Sequence, residues 1–265
     1  MILFKLGGKV LENLLENAST LSGWSQIAEP FVVLHGGGAV INQTAEKLGL
    51  RFSFVDGQRV TSPEVLDVVE MVLRGRMNPS LVRVLAKQGL ATLGISASDQ
   101  NILNCELEDA RLGWVGRVRE VNPEPVKALL DAGYVPVLAP LGAYSGSENP
   151  FPDVPLREVM NVNADMAAAK LSSALQVRKL VFFTDRDGIL DENGERVPLM
   201  RYADLEKMRE GPGISGGMLV KTRGVLEFLK SRPDAEVWVL NGLRPVNLAD
   251  FIQKGNTDFG TRITA

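Results

Sequence analysis

Short runs of β-branched and apolar residues recur along the chain, separated by longer stretches in which apolar residues return every three or four positions. The runs Ile2–Leu6, Phe31–Leu34, Ala91–Ile95, Val135–Ala139, Leu180–Thr184 and Glu236–Leu240 are nearly continuous in apolar character. A strand with one wet face would alternate, so these six predict strands covered on both sides. Gly38–Leu48, Pro63–Leu73, Ser80–Lys87, Ala164–Leu175 and Gly217–Leu229 carry helical spacing. Ser62 as cap, Pro63 at the first position and Glu64 in the first turn mark one start clearly. Strands alternating with helices predict an α/β fold, with a mostly parallel central sheet sandwiched between helices in three αβα layers. Phe52–Val60 and Leu112–Val121 read as hairpin material outside that alternation.

No repeat, charge block or Ser/Gly linker divides the chain. Ser145–Pro155 holds three prolines but is too short for a linker. The reading is one domain over 1–265 with two functional halves meeting near that loop. Its 265 residues suit a single large α/β domain. A net charge of −3 gives no electrostatic reason for binding nucleic acid or anionic lipid. No apolar run reaches the roughly 18 residues of a membrane span, and Ile2–Leu6 lacks the charged flank of a signal peptide. The lone cysteine, Cys105, has no disulfide partner in the chain, and no Cys/His cluster has zinc-ligand spacing.

Glycine is in excess, 26 residues of 265, about 10% against a usual ~7%. The excess is clustered: Gly7-Gly8 and Gly36-Gly37-Gly38 follow strands, Gly188 follows another, and Gly213–Gly217 precedes a helix. At the carboxyl edge of a parallel sheet, glycine lets backbone N–H groups approach an anion, and a following helix adds its positive dipole end. Named motifs fail one by one. The dinucleotide pattern G-x-G-x-x-G breaks at Ile41, and Val220 stands where a P-loop needs glycine before its lysine. His35-Gly36-Gly37-Gly38 and Gly213-Ile214-Ser215-Gly216-Gly217 mimic hydrolase motifs. The only histidine, however, lies upstream of Ser215, so a serine hydrolase has no base. What remains is cationic: Lys5 at the end of the first strand and Lys221 one turn into its helix. Asp165 lies at a helix start, and Asp185 and Asp187 flank a turn. Phosphoryl transfer uses such a set, with lysines and backbone N–H groups neutralising the transferring group and a metal bridging the leaving phosphates.

In chain order stand Lys5-Leu6-Gly7-Gly8, His35-Gly36-Gly37-Gly38, Gly57-Gln58-Arg59-Val60-Thr61, Asn161-Val162-Asn163-Ala164-Asp165, Thr184-Asp185 with Gly188, Gly217-Met218-Leu219-Val220-Lys221, and Gly260-Thr261. This series resembles the amino acid kinase family, within it the branch that phosphorylates the γ-carboxylate of N-acetyl-L-glutamate in arginine synthesis. The resemblance implies the amino acid kinase fold, with an acceptor-binding and dimerisation half over about 1–160 and a nucleotide half over about 161–265. It implies Lys5 and Lys221 as transition-state lysines, organised by Asp165. Gly37 and Gly38 would meet the phosphoryl group, and Arg59 and Asn161 the acceptor. Gly7, Gly8, Asp185, Gly188, Ile189, Leu190, Ile214, Ser215, Gly216 and Gly217 would line the nucleotide site. ATP and Mg²⁺ are implied, with no protein ligand to the metal evident. Also implied are a cytoplasmic location and an arginine-insensitive homodimer joined around Pro63–Leu73 and Ser80–Leu85. Two rivals remain: a kinase acting on carrier-bound α-aminoadipate, and a non-catalytic ligand-binding relative. Ser145–Met160 and Leu93–Asn101 depart from the family's usual pattern, both in the acceptor half.

Overall fold

The computed structural model describes residues 1–191, 193–210, 217–255 and 259–265, with the side chains of 210 and 217–220 left aside. Eight strands form one sheet in the order Leu199–Arg201, Gly260–Thr264, Glu236–Asn241, Lys179–Thr184, Ile2–Leu6, Phe31–His35, Val135–Ala139 and Thr92–Ser96. Every pairing is parallel except that between Glu236–Asn241 and Gly260–Thr264. The six strands expected from apolar runs are the consecutive members from Glu236–Asn241 to Thr92–Ser96, with ends shifted by one residue at most. Gly260–Thr264 escapes notice because Arg262 interrupts its apolar run, and Leu199–Arg201 because it is only three residues long and ends in arginine.

Strand alternation sends Ile2, Phe4 and Leu6 into one core and Leu3 into the other. The first core is roofed by helices Gly8–Glu16, Gly38–Lys47, Pro63–Glu70 and Asn78–Lys87, and the second by Ala164–Ala174 and Gly217–Ser231. Lys5 follows the alternation onto the Leu3 side, the face covered by Ala164–Ala174. That placement decides the site.

Helix boundaries differ from expectation where the local chemistry is unusual. Gly8–Glu16 was hidden behind two glycines, although Val10, Leu11 and Leu14 mark its buried stripe. Ser62 does cap Pro63–Glu70, accepting from the Val65 N–H at 3.3 Å. The helix then continues through a wide-turned π segment, Met71–Met77, into Asn78–Lys87. Pro79 has no N–H to give the preceding turn, which favours the widening there. Val65, Val68, Val69, Val72, Leu73, Leu81 and Leu85 are buried within the chain's own core, so the apolar face expected of these helices is already used.

Beside the sheet, Leu103–Leu107, Val115–Val121, Leu141–Tyr144 and Val159–Val162 close into a small barrel. Leu112–Val121 is thus barrel wall, paired antiparallel with Leu103–Leu107. Cys105 lies buried inside, its thiol pushed up to about 12 by burial, with Gly116 and Gly142 leaving room for it. Phe54–Val55 and Gln58–Arg59 form the expected hairpin. Asp56 and Gly57 make its turn with φ of 49° and 77°, the two positive values a tight hairpin turn requires.

Candidate active site

Two glycine loops meet at the carboxyl edge of the sheet. The Gly7 N–H bonds the Phe183 carbonyl at 2.9 Å, and the Gly36 N–H bonds the Leu6 carbonyl at 2.9 Å. A Cβ on Gly8 would stand 3.4 Å from the Gly38 nitrogen, so the loops are in mutual contact. Helices Gly8–Glu16 and Gly38–Lys47 start there, directing two positive dipole ends at one place. A Cβ on Gly37 would lie 2.8 Å from Leu73 Cδ2, so a side chain there would have to displace Leu73.

Beneath these loops lies a buried triad. Lys5 Nζ and Lys221 Nζ stand 2.6 and 3.0 Å from the same oxygen, Asp165 Oδ1. Asp165 is aimed by the cap of its helix: Asn163 Oδ1 accepts from the N–H groups of Asp165 and Met166 at 2.9 and 3.2 Å. Burial alone would raise the Asp165 pKa, but Lys221 and Lys5 together hold it well below the usual carboxylate range. Burial drops Lys221 to about 8, with Asp165 opposing the fall and Lys5 adding to it. Its ammonium also lies 4.8 Å over the ring of Phe182. Two cations on one carboxylate leave excess positive charge in a dry place, which an anionic group would complete.

That place opens into a cavity of about 230 Å³ whose wall includes Lys5, Gly37, Gly38, Arg59, Asn161 and Asp165. Arg59 is 8% exposed, its guanidinium 4.8 Å over Phe52 and 4.9 Å over Phe54. One nitrogen, Nη2, donates to the Gly38 carbonyl at 3.2 Å, while Nη1 is buried without a partner among the described residues. A buried orphan donor on a cation costs free energy until an acceptor arrives. Asn161 Nδ2 donates to Thr61 Oγ1 at 3.0 Å, which in turn donates to the Arg59 carbonyl at 2.9 Å. Barrel and hairpin are thereby tied at the cavity wall. Thr61 and Asn163 belong to motifs visible in the sequence, though their roles as tie and cap appear only in three dimensions.

A larger cleft of about 750 Å³ runs alongside and shares Gln58 and Asn163 with this cavity. Its charges are mostly satisfied in pairs, among them Arg111–Asp109 and Lys170–Glu227. Size therefore does not mark the site; unpaired buried charge does.

On the other side, Asp185 follows strand Lys179–Thr184 and pairs with Lys9 at 2.7 Å, an ion pair that lowers its pKa and that sequence gave no reason to expect. Asp187 is held by Asn241 and Arg244. Gly188 takes φ of 102°, a conformation glycine alone adopts freely, as its chain turns against Thr261. The Ile189 N–H bonds Thr261 Oγ1 at 2.8 Å and its side chain is buried in the core, whereas Leu190 is exposed. The Ile189 carbonyl accepts from the Val197 N–H at 2.9 Å, so both backbone polar groups of Ile189 are already engaged. Gly217 begins the helix bearing Lys221, while Ile214, Ser215 and Gly216 lie outside the described residues. Among the described residues no three His, Cys, Asp or Glu side chains cluster to hold a metal.

Glycine loops, convergent helix N-termini and a lysine–aspartate–lysine triad on one sheet edge define a phosphotransferase. A profile of the amino acid kinase family matches residues 1–241. The chain is 37% identical over 248 residues to an acetylglutamate kinase of Bacillus licheniformis, covering 91% of this chain and 90% of that one. It is 36% identical over 267 residues to that of Bacillus pumilus, covering 99% and 95%. The fold matches the smu.665 protein of Streptococcus mutans with a TM-score of 0.81 at 23% identity, over 100% of this chain and 98% of that one. It also matches an N-acetylglutamate synthase of Neisseria gonorrhoeae at 0.78 and 20% identity, over 100% of this chain and 59% of that one. The chain belongs to the amino acid kinase family, in its acetylglutamate kinase group.

Proposed function

We propose that this chain transfers the γ-phosphoryl group of ATP to the γ-carboxylate of N-acetyl-L-glutamate, giving an acyl phosphate and ADP. The observation that carries the site assignment is the buried Arg59, its Nη1 without a partner among the described residues, in the same cavity as Lys5 and Asp165. A dicarboxylate acceptor would give Arg59 a planar partner for its fork and place its second carboxylate toward the triad. One carboxylate oxygen attacks phosphorus as the bond to the β-phosphate oxygen breaks and ADP departs with that electron pair. The carboxylate is already ionised at neutral pH, so no general base is needed. Lys5 and Lys221 offset the charge spread over the phosphoryl oxygens, the N–H groups of Gly37 and Gly38 bind those oxygens, and Asp165 holds both lysines in place. Asn161 sits where it would meet the acceptor.

The nucleotide would lie across Gly7, Gly8, Asp185 and Gly188, with Ile189, Leu190 and Gly217 beside it; 214–216 are part of the same expectation. The halves over about 1–160 and 161–265 would then divide acceptor from nucleotide. Asp165 and Asp185 are taken up by lysines, so a Mg²⁺ arriving with ATP would be held chiefly by phosphate oxygens and water, where it screens their charge. Among the described residues no helix is long and apolar enough to cross a membrane. ATP as substrate favours the cytoplasm. We further propose a homodimer, supported by the sheet edge at Thr92–Ser96, unpaired among the described residues, with Leu93 and neighbouring Tyr134 exposed.

The test is ADP release measured with N-acetylglutamate, glutamate, aspartate and aminoadipate as acceptors, in the parent chain and in Arg59→Lys. N-acetylglutamate should be preferred, and the variant should raise its KM at least tenfold with the KM for ATP nearly unchanged. Acceptor-independent ADP release, or a fall in ATP affinity instead, would remove Arg59 from the acceptor side.

A further inference from the structure

His35 ends the strand Phe31–His35 and is fully buried beside the phosphoryl site, yet transfer to a carboxylate asks no proton of it. Both ring nitrogens are held. Nδ1 lies 2.9 Å from the Gly36 carbonyl oxygen, and Nε2 lies 3.2 Å from Asn78 Nδ2. The same Asn78 nitrogen donates to the Val137 carbonyl at 2.9 Å. A carbonyl only accepts, so Val137 fixes which end of the amide faces inward, and the second N–H of that nitrogen is left for Nε2. Nε2 must then carry the lone pair and Nδ1 the proton, which Nδ1 donates to the Gly36 carbonyl.

The consequence follows from peptide geometry. In a trans peptide the C=O and N–H point in opposite directions. An imidazole on the Gly36 carbonyl therefore turns the Gly37 N–H away from itself. Gly36, Gly37 and Gly38 line the cavity that holds Lys5 and Asp165, and neither the Gly37 nor the Gly38 N–H has a backbone acceptor among the described residues.

Asn78 is placed with matching care. It is 5% exposed, at the junction where the π segment Met71–Met77 meets Pro79. That segment presses Leu73 and Met77 against Gly37. On its far side Asn78 fills the space a side chain at Gly94 would need, since a Cβ there would overlap its amide oxygen. The residue is boxed in by three elements.

We propose that Asn78 is a positioning residue for phosphoryl transfer: it fixes the tautomer of His35, which holds the Gly36 carbonyl and so aims the Gly37 N–H at the transferring group. Burial, outweighing the Gly36 contact, also drops His35 to about 4, with Lys5 adding to the fall, so the ring stays neutral at working pH. The role rests on the kinase reading above for its activity readout but not for its geometric one.

Because His35 is the only histidine of the chain, its imidazole nitrogens can be read unambiguously by ¹⁵N NMR. The parent chain at pH 7 should show Nδ1 protonated and Nε2 bare. Asn78→Leu, close in size but without the donor, should give a mixture of tautomers, shift the Gly37 amide resonance and lower kcat by about 10- to 100-fold with little change in either KM. Asn78→Ser, smaller and still able to donate, should recover part of that loss. Lys5→Ala serves as a control that lowers kcat and leaves the tautomer alone. An Nε2-protonated ring in the parent chain would overturn the proposal, and this holds even if Asn78→Leu does not fold. Full kcat in Asn78→Leu with an altered tautomer, while Lys5→Ala is inactive, would overturn it and leave the kinase reading standing. Absence of acetylglutamate-dependent turnover in the parent chain would overturn that reading instead, with the tautomer and the Gly37 shift still deciding the positioning.

Discussion

His35 shows at the residue scale how one side chain links pH to folding. The unfolded chain takes up its proton near 6.5 and the folded chain not until about 4. Between those values the unfolded state holds more protons, so stability falls as pH drops. The loss between pH 7 and 5 should be about 2 kcal/mol, since one unit of separation is worth about 1.4 kcal/mol. Asp165 acts in the same sense at lower pH: its depressed pKa contributes stability that is present above the ordinary carboxylate range and lost only in stronger acid. Urea unfolding across the near-neutral window therefore isolates the histidine. A flat profile from pH 7 to 5 would contradict its burial as a neutral ring. The residue was legible in the sequence as part of a glycine loop; its partner Asn78, 43 positions away, was not.

At the scale of elements, the helix Ala164–Ala174 carries most of the site's order. Its cap, Asn163, satisfies the first N–H groups and orients the turn holding Asp165. Asn163→Ala should cost about 1 kcal/mol of stability and lower kcat, whereas Asn163→Asp should keep the cap. Urea midpoints at constant slope, alongside kcat, check both. An unchanged kcat in the alanine variant would mean that the lysines alone fix Asp165. The Asn-Val-Asn-Ala-Asp motif marked the helix start in the sequence, but the role of Asn163 as its cap appears only in the structure. Gly8–Glu16 and the π segment were not readable. Two glycines conceal one start, and the wide turn before Pro79, which packs Leu73 and Met77 on Gly37, carries no periodic signal of its own.

For the whole molecule, the strand Ile2–Leu6 is the joint. It pairs with Phe31–His35 on one side and with Lys179–Thr184 on the other. Lys5, set between Leu34 and Phe182, thus belongs to both. The opposite end of the sheet, at Thr92–Ser96, has an open edge among the described residues. If that edge is the dimer seam, light scattering at micromolar concentration should give twice the chain mass, and Leu93→Lys should move it toward the monomer. A monomeric parent chain would refute the seam.

The sequence by itself determined the layered fold and the sites of its glycine turns, because continuous apolar strands and capped helices are local patterns whose burial is fixed by composition. It also placed Lys5, Asp165 and Lys221 at the ends of elements that a parallel sheet brings to one edge. Only the tertiary structure decided that both lysines share one carboxylate oxygen, that Arg59 keeps a buried nitrogen without a partner among the described residues, and that Asn78 reaches His35. Those contacts join residues far apart in the chain. They follow from strand alternation, helix phase and close packing acting together, and no window of sequence contains all three.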